Sequence, residues 1–145
     1  MAVAPQLADF GLPEWRDYEV FVEECRTSIR KSLAGTDADR VVFVAELAPD
    51  SPVGLANLVL APNPNTGGRN VVVSDLVVDA TYRNRGVGGA LLERCETWAR
   101  ERAADGLVLA VFQDNVGARR LYERYGFRDD VVRVVRPLTD EGRTP

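Results

Sequence analysis

Apolar residues recur at steps of three and four through Trp15, Tyr18, Val22, Cys25, Ile29 and Leu33. That spacing predicts one amphipathic helix, stopping near Gly35 ahead of the turn-rich Thr36-Asp37-Ala38-Asp39. The stretch before it, to about Pro13, is polar and irregular. The pattern then shifts to short β-branched runs at Val41–Leu47, Val53–Leu60 and Val71–Val78. The breaker Ala48-Pro49-Asp50-Ser51-Pro52 parts the first two, and the close spacing of all three predicts an antiparallel meander. Ala61–Asn70, rich in Pro, Asn and Gly, reads as a mobile loop.

In the second half the helical period returns. Val87, Ala90, Leu91, Cys95, Trp98 and Ala99 form one stripe. Leu107–Phe112 reads as a buried strand, and Val116–Tyr125 as a helix closed by Gly126. Val131–Arg136 reads as a last strand, and Pro137 onwards as a frayed tail. The order is α, β, β, β, α, β, α, β. Its strand–helix–strand unit requires at least one parallel pair inside a mixed sheet.

Composition narrows the class. A chain of 145 residues is the usual size of one domain, and 46% hydrophobic with 28% charged residues suits a soluble globular protein. No apolar run approaches the ~20 residues of a membrane helix. Met1–Phe10 has neither a basic stretch nor an apolar run, so no secretory signal is expected and the cytoplasm is the default compartment. A formal charge of −4 lacks the basic excess of a nucleic-acid-binding surface. The sequence has no histidine, which excludes Ser-His-Asp and Cys-His chemistry, and no metal site is expected. Cys25 and Cys95 stand seventy residues apart with no CxxC and read as reduced, buried small hydrophobes.

The candidate chemistry lies between Leu76 and Leu92. A buried strand runs through a short loop into a helix whose first turn holds Gly86, Gly88 and Gly89. A helix start offers free N–H groups and the positive end of the dipole. Glycines there leave an anion room, and Arg83 and Arg85 add charge, which together suit a pyrophosphate. A glycine-rich start that merely packs tightly on a strand is the plain alternative. Gly86-Val-Gly-Gly is neither a Rossmann fingerprint nor a P-loop. A phosphate-bearing ligand that is neither a dinucleotide nor ATP points to coenzyme A.

Two motifs resemble the GCN5-related N-acetyltransferases, the GNAT family. One is Arg83-Asn-Arg-Gly86-Val-Gly88, preceded by Val78-Asp-Ala-Thr-Tyr82; the other is Asn115, then Leu121-Tyr122, then Gly126-Phe127. The resemblance covers roughly residues 41–136 and is sharpest over 71–127. It implies an α/β acyl-CoA N-acyltransferase fold, a mixed and mostly antiparallel sheet with helices on both faces. It implies an acetyl-CoA-dependent N-acetyltransferase acting on the amine of a small molecule or peptide, formed by residues 1–145 as one domain. The loop Asn84, Arg85, Gly86, Val87, Gly88 and Gly89, with Arg83, would bind pyrophosphate. Leu76, Val77 and Val78 would pair through their backbone with the pantetheine arm. The strand Val71–Val78 would splay from the strand beginning at Leu107, with a bulge at Ser74-Asp75 whose N–H polarises the thioester carbonyl. Asn115 would bond the cofactor arm, or serve as a plain N-cap. Tyr122 would protonate the leaving thiolate; with ordinary pKa values full transfer is uphill by about 2 kcal/mol, so a strengthening hydrogen bond carries the role. A core aromatic is the alternative for Tyr122. Relatives often dimerise, which leaves a homodimer open.

Two departures stand out. Residues 1–40 give one long helix and a weak strand candidate, Met1–Leu7, where the family has a strand and two short helices. A reduced acceptor lobe or a missing strand would explain this. The family's N-terminal acetylating branch often has a glutamate where this chain has Ala110, so Asp75 and Glu46 remain as candidate bases, acting through water, with a plain solvated carboxylate as the alternative for each. Deprotonating a lysine-like amine at pH 7 costs roughly 4.6 kcal/mol and an α-amine only about 1 kcal/mol, which favours α-amino or weakly basic acceptors. The acidic surface favours cationic acceptors instead. Direct transfer is expected, since no nucleophile sits in either motif beside a base. A non-catalytic acyl-CoA-binding module is the rival reading, and a nucleotide-binding domain of another kind a third.

Overall fold

Each element starts and stops where local chemistry allows, and the sheet then sorts the side chains into two layers. The computed structural model describes residues 11–138. Helix α1 spans Tyr18–Leu33 and starts three residues later than the periodicity suggested. The reason is Asp17, whose side chain accepts from Val20 N–H at 3.0 Å and caps the helix. Gly35, at φ +65, follows its end. Trp15 and Leu33 lie outside the buried stripe at 43% and 65% exposure.

Strands β1 (Arg40–Glu46), β2 (Pro52–Pro62), β3 (Arg69–Val78) and β4 (Gly106–Leu109) form one sheet in the order β1-β2-β3-β4. The first two pairings are antiparallel and β3–β4 is parallel, so the sheet is mixed. Helix α2 (Val87–Glu101) makes the crossover, and α3 (Val116–Arg124) follows β4. This is the α/β architecture that the pattern and the resemblance implied.

The sheet has two packed faces. Ala56, Leu58, Leu60, Val71 and Val73 pack against Leu91, Cys95, Trp98 and Ala99 of α2. Val22 of α1 packs with Leu55 and Val77 on the opposite face, with Tyr18, Phe21, Cys25 and Ile29 around them. Strand alternation alone would put Val77 on the same face as Val71 and Val73. A bulge reverses the order: Asn57 faces Asp75, but the next β2 residue, Leu58, faces Val73, leaving Ser74 unmatched. One extra residue exchanges the faces of everything after it. The polar break at Ser74-Asp75 is therefore a bulge.

Three expectations are corrected. The β2–β3 connection is shorter than Ala61–Asn70, because β2 reaches Pro62 and β3 starts at Arg69. It is also tied down: Asn63 donates to Asp105 at 3.1 Å, and Thr66 donates to the same carboxylate. The strand Leu107–Phe112 ends at Leu109, where pairing with β3 reaches the bulge. Val131–Arg136 is not a strand. Val131, Val132 and Val134 are more than four-fifths exposed, and among the described residues no strand pairs with the outer edge of β4. β-branched sequence supplies propensity but not a hydrogen-bonding partner. Met1–Leu7 and most of the expected tail lie outside the described residues. Among the described residues no helix is long and apolar enough to cross a membrane.

Candidate active site

The parallel pair β3–β4 holds together only from Asn70↔Gly106 to Val73↔Leu109. Past Val73↔Leu109 no ladder joins the two strands, which leaves a split between the β3 edge beyond the bulge and the chain that follows Leu109. Asp79 N–H donates to Val53 O at 2.8 Å, toward β2. Backbone groups alternate sides along a strand, so those of Val77 also face β2, and those of Leu76 and Val78 face the split. Val77 is therefore not placed to pair with a ligand there. The Val78 carbonyl accepts from Arg83 Nε at 3.2 Å, which leaves Leu76 as the least encumbered edge residue.

The strand leads into a 3-10 turn, Ala80–Tyr82, capped by Asp79, which accepts from Thr81 N–H at 2.9 Å. Asn84 and Gly86 both take positive φ, +60° and +83°. Two left-handed residues fold the chain back so that α2 starts beside the end of β3. Gly86 is the N-cap and supplies no side-chain cap, and the first amide bonded across the helix start is Ala90 N–H to Gly86 O at 3.0 Å. The amides of Val87, Gly88 and Gly89 have no acceptor among the described residues. A Cβ on Gly86 would meet nothing within 4 Å, so the mouth of this cradle is open. Arg85 stands at its rim, 5.5 Å from the Tyr82 ring.

Gly88 and Gly89 prove to have a second use. A Cβ at Gly88 would lie 2.9 Å from Leu121 Cδ2, and one at Gly89 2.6 Å from Tyr125 Cζ. Their missing side chains make room for α3 rather than for an anion. The close packing at these two positions is thus against α3 and its C-cap, not against a strand as the plain alternative had it, while their amides have no acceptor among the described residues.

Asn115 caps α3: its Oδ1 accepts from Ala118 N–H at 3.2 Å. Its Nδ2 is the part left for a ligand. One turn further, Leu121 seats on α2, and Tyr122 lies between Phe127 (ring centroids 5.7 Å apart) and the neighbourhood of Cys95. Burial pushes the Tyr122 hydroxyl up to about 12, with Cys95 contributing in the same direction.

Asp75 sits at the bulge, beneath α1, and is 9% exposed. It accepts from Asn57 Nδ2 at 2.8 Å and from the Cys25 thiol. Asn57 is fully buried and fully used. Its second Nδ2 hydrogen goes to Ser28 Oγ at 3.0 Å, and its Oδ1 accepts from Ser32 Oγ at 2.5 Å. Burial raises the Asp75 pKa, while the bonds from Asn57 and Cys25 pull it down. The Cys25 thiol is pushed up to about 12 by burial and then by Asp75. Glu46 lies on β1, the opposite edge of the sheet, and is not brought to the split.

Several residues at the site were not singled out from the sequence. Asn57 had a legible signal, a lone amide inside the apolar run Val53–Leu60. Arg16, Phe21 and Phe112 had none. They meet only in three dimensions, with the Phe21 and Phe112 rings 5.5 Å apart and Arg16 over Phe112 at 5.9 Å. Among the described residues no three His, Cys, Asp or Glu side chains gather as a metal site.

Comparison with known proteins agrees with this geometry. Residues 7–127 match the model of the acetyltransferase (GNAT) family. The chain is 30% identical over 109 residues to a streptothricin acetyltransferase of Streptomyces lavendulae, covering 75% of this chain and 56% of that protein. It is 41% identical over 56 residues to an L-amino acid N-acetyltransferase of Escherichia coli, covering 36% of this chain and 33% of that protein. The chain thus spans about half of the first relative and a third of the second. A solved ribosomal-protein-alanine N-acetyltransferase from Brucella melitensis shares its fold with a TM-score of 0.61 and 26% identity, over 91% of this chain and 87% of that one.

Proposed function

The chain belongs to the GNAT family of acetyltransferases, and on that footing we propose that it moves an acetyl group from acetyl-CoA directly to an amine. The observation that carries this reading is the junction of two features in one strand–turn–helix unit. The β3–β4 pairing ends at the bulge at Ser74, and the same strand leads to a helix whose first amides have no acceptor among the described residues.

The residues present fit coenzyme A. No side chain caps the amides of Val87, Gly88 and Gly89, and the cradle in front of Gly86 is open. These amides, with Asn84, Arg85 and Arg83 beside them, would hold the pyrophosphate. The edge of Leu76 and the Val78 N–H would pair with the pantetheine amides, and Asn115 Nδ2 with the arm. When bound, acetyl-CoA supplies an acetyl group activated as a thioester. The chain's own part is to hold the carbonyl at a bulge N–H and to exclude water.

Tyr122 donates a hydrogen bond to the departing sulfur. With its pKa near 12 against about 8.5 for a thiol, full transfer would be uphill by about 5 kcal/mol, so the bond polarises rather than protonates. Asp75, the carboxylate at the bulge, takes up the proton of the acceptor ammonium through water. A nitrogen acceptor is further supported by the relatives named as N-acetyltransferases of L-amino acids and of ribosomal-protein alanine.

The test is calorimetric titration with acetyl-CoA of the wild type and Arg85→Glu, followed by an assay of amine-dependent thiol release. A carboxylate at position 88 would collide with Leu121, whereas Arg85 is exposed and reports charge alone. Micromolar binding weakened at least tenfold in the variant supports the site. Binding without amine-dependent thiol release would instead indicate a binding module, and no binding would overturn the reading.

A further inference from the structure

The α1-side lip of the split is built by a stretch that the chemistry above does not use. Before α1 the chain runs against the β4–α3 connection. Gly11, at φ +67, lies so close to it that a Cβ would meet the Asn115 nitrogen at 2.9 Å. Five residues on, the Arg16 guanidinium reaches over the Phe112 ring at 5.9 Å and lies 4.8 Å from the centroid of Trp15. Phe112 falls between Leu109, where β4 leaves β3, and Asn115, the cap of α3. Arg16 therefore stands at the mouth of the split, on the same sheet face as Phe21 and the Asp75 cluster.

Its bonding is incomplete. Arg16 Nε is shut off from solvent and has no hydrogen-bond partner among the described residues. Glu14, Asp17 and Glu19 flank it in sequence, yet among the described residues no carboxylate pairs with it. A guanidinium cannot shed its charge, and two aromatic rings satisfy its faces but not its N–H edge. Because Nε is buried while the residue as a whole is only half-buried, the donors left to a ligand are those of the two outer nitrogens, whose planar edge can meet a carboxylate with two parallel hydrogen bonds.

We propose that Arg16 is the specificity-determining residue of the acceptor site and that it binds a carboxylate on the acceptor, so that the acceptors are amino acids. This rests on the acetyl-transfer reading. It places a cation at the lip and the carboxylate of Asp75 deeper on the same face, an order that matches an acceptor with an acid at one end and an ammonium at the other. Phe21, Phe112 and Trp15 supply apolar surface for the rest of the molecule.

The test measures thiol release from acetyl-CoA by the full chain with three acceptor pools: common amino acids, their carboxamides and the corresponding decarboxylated amines. Reactivity alone favours the carboxamides, because a neighbouring carboxylate keeps more of the amine protonated at pH 7. The expected result is the reverse, a kcat/KM at least tenfold higher for the amino acids. In Arg16→Gln that preference disappears through a raised KM, with turnover of the carboxamides and the KM for acetyl-CoA within twofold of wild type. Arg16→Lys restores part of the preference. Equal or better use of the carboxamides by the wild type overturns the assignment, and so does a loss in Arg16→Gln that is equal for all three pools. The wild-type panel decides the matter even if the variants do not fold. Thiol release with the carboxamides or amines alone overturns only the role of Arg16. No release with any pool overturns the transfer reading and the assignment together.

Discussion

Gly89 and Tyr125 touch across the α2–α3 contact so closely that position 89 has no space for a Cβ: the Tyr125 Cζ would lie 2.6 Å from it, and the hydroxyl nearer still. The first turn of α2 thus offers its amides to the cradle and its bare face to α3. The helix that carries Tyr122 is positioned by the same residues that would hold the cofactor phosphates.

Gly89→Ala should push the far end of the 42% exposed Tyr125 side chain aside, and with alanine's better helix propensity offsetting part of the penalty the net cost should be about 1 kcal/mol or less. In a Tyr125→Leu background most of that cost should vanish. Urea unfolding of the two single variants and the double variant measures the coupling, and additive effects would refute the contact's importance. Activity should fall in Gly89→Ala through kcat as much as through the KM for acetyl-CoA, since Tyr122 moves with its helix.

Asp75→Asn should separate stability from activity. The native Asp75 pKa is raised, so the folded state holds this proton more tightly than the unfolded chain does. Stability from this group is therefore complete below the ordinary carboxylate value near 3.8 and falls as pH rises from there through the raised native pKa. Above the raised native pKa the charged form is a liability to the fold, and the amide should be at least as stable in urea. Turnover should drop by roughly 10²-fold or more if the carboxylate accepts the proton. The wild-type rate should show an acid limb above the ordinary carboxylate range, and the variant should lack it.

Asn57→Ala tests the support of that carboxylate. It removes the partner of Asp75, Ser28 and Ser32 together. The expected cost is about 1–3 kcal/mol for each buried group left unpaired, read by thermal and urea unfolding. A variant as stable as wild type would mean that water replaces the amide.

Tyr122→Phe should lower kcat by roughly 10-fold, the worth of one strengthened hydrogen bond, and leave acetyl-CoA affinity nearly unchanged. Because Tyr122 titrates near 12, its ionisation should produce no alkaline limb in the rate below about pH 10. Stability from the protonated hydroxyl is complete below pH 10 and lost as pH rises towards 12.

Neither cysteine should react readily. Burial pushes both thiols up to about 12. At pH 8 only about one in 10⁴ would be thiolate, far below an ordinary cysteine. A thiol reagent should label the native protein slowly and the urea-unfolded protein at both sites. Rapid native labelling of Cys25 would show that the Asp75 cluster opens to solvent.

The sequence by itself determined what depends on neighbours along the chain. Hydrophobic period placed α1, α2, α3 and the three meander strands to within a few residues. Glycine spacing marked the start of α2, and the polar pair Ser74-Asp75 fitted the bulge that the family resemblance implied. Ends were misjudged where a single side chain or a pairing partner decided them, as at Asp17 and Leu109. Val131–Arg136 has the composition of a strand, but a strand exists only through a partner edge, which no local pattern supplies.

Only the tertiary structure decided which face each group meets. The bulge carries Asp75 and Val77 under α1 rather than α2, and the bond from Asp79 N–H to Val53 O sets the Val77 backbone toward β2. Gly88 and Gly89 gained a packing role because α3 crosses them. Arg16 met Phe112, nearly a hundred residues away, because the chain ahead of α1 lies on the lip that β4 leaves open. Contacts of that range are set by the layering of helices on a sheet, and periodicity is silent about them.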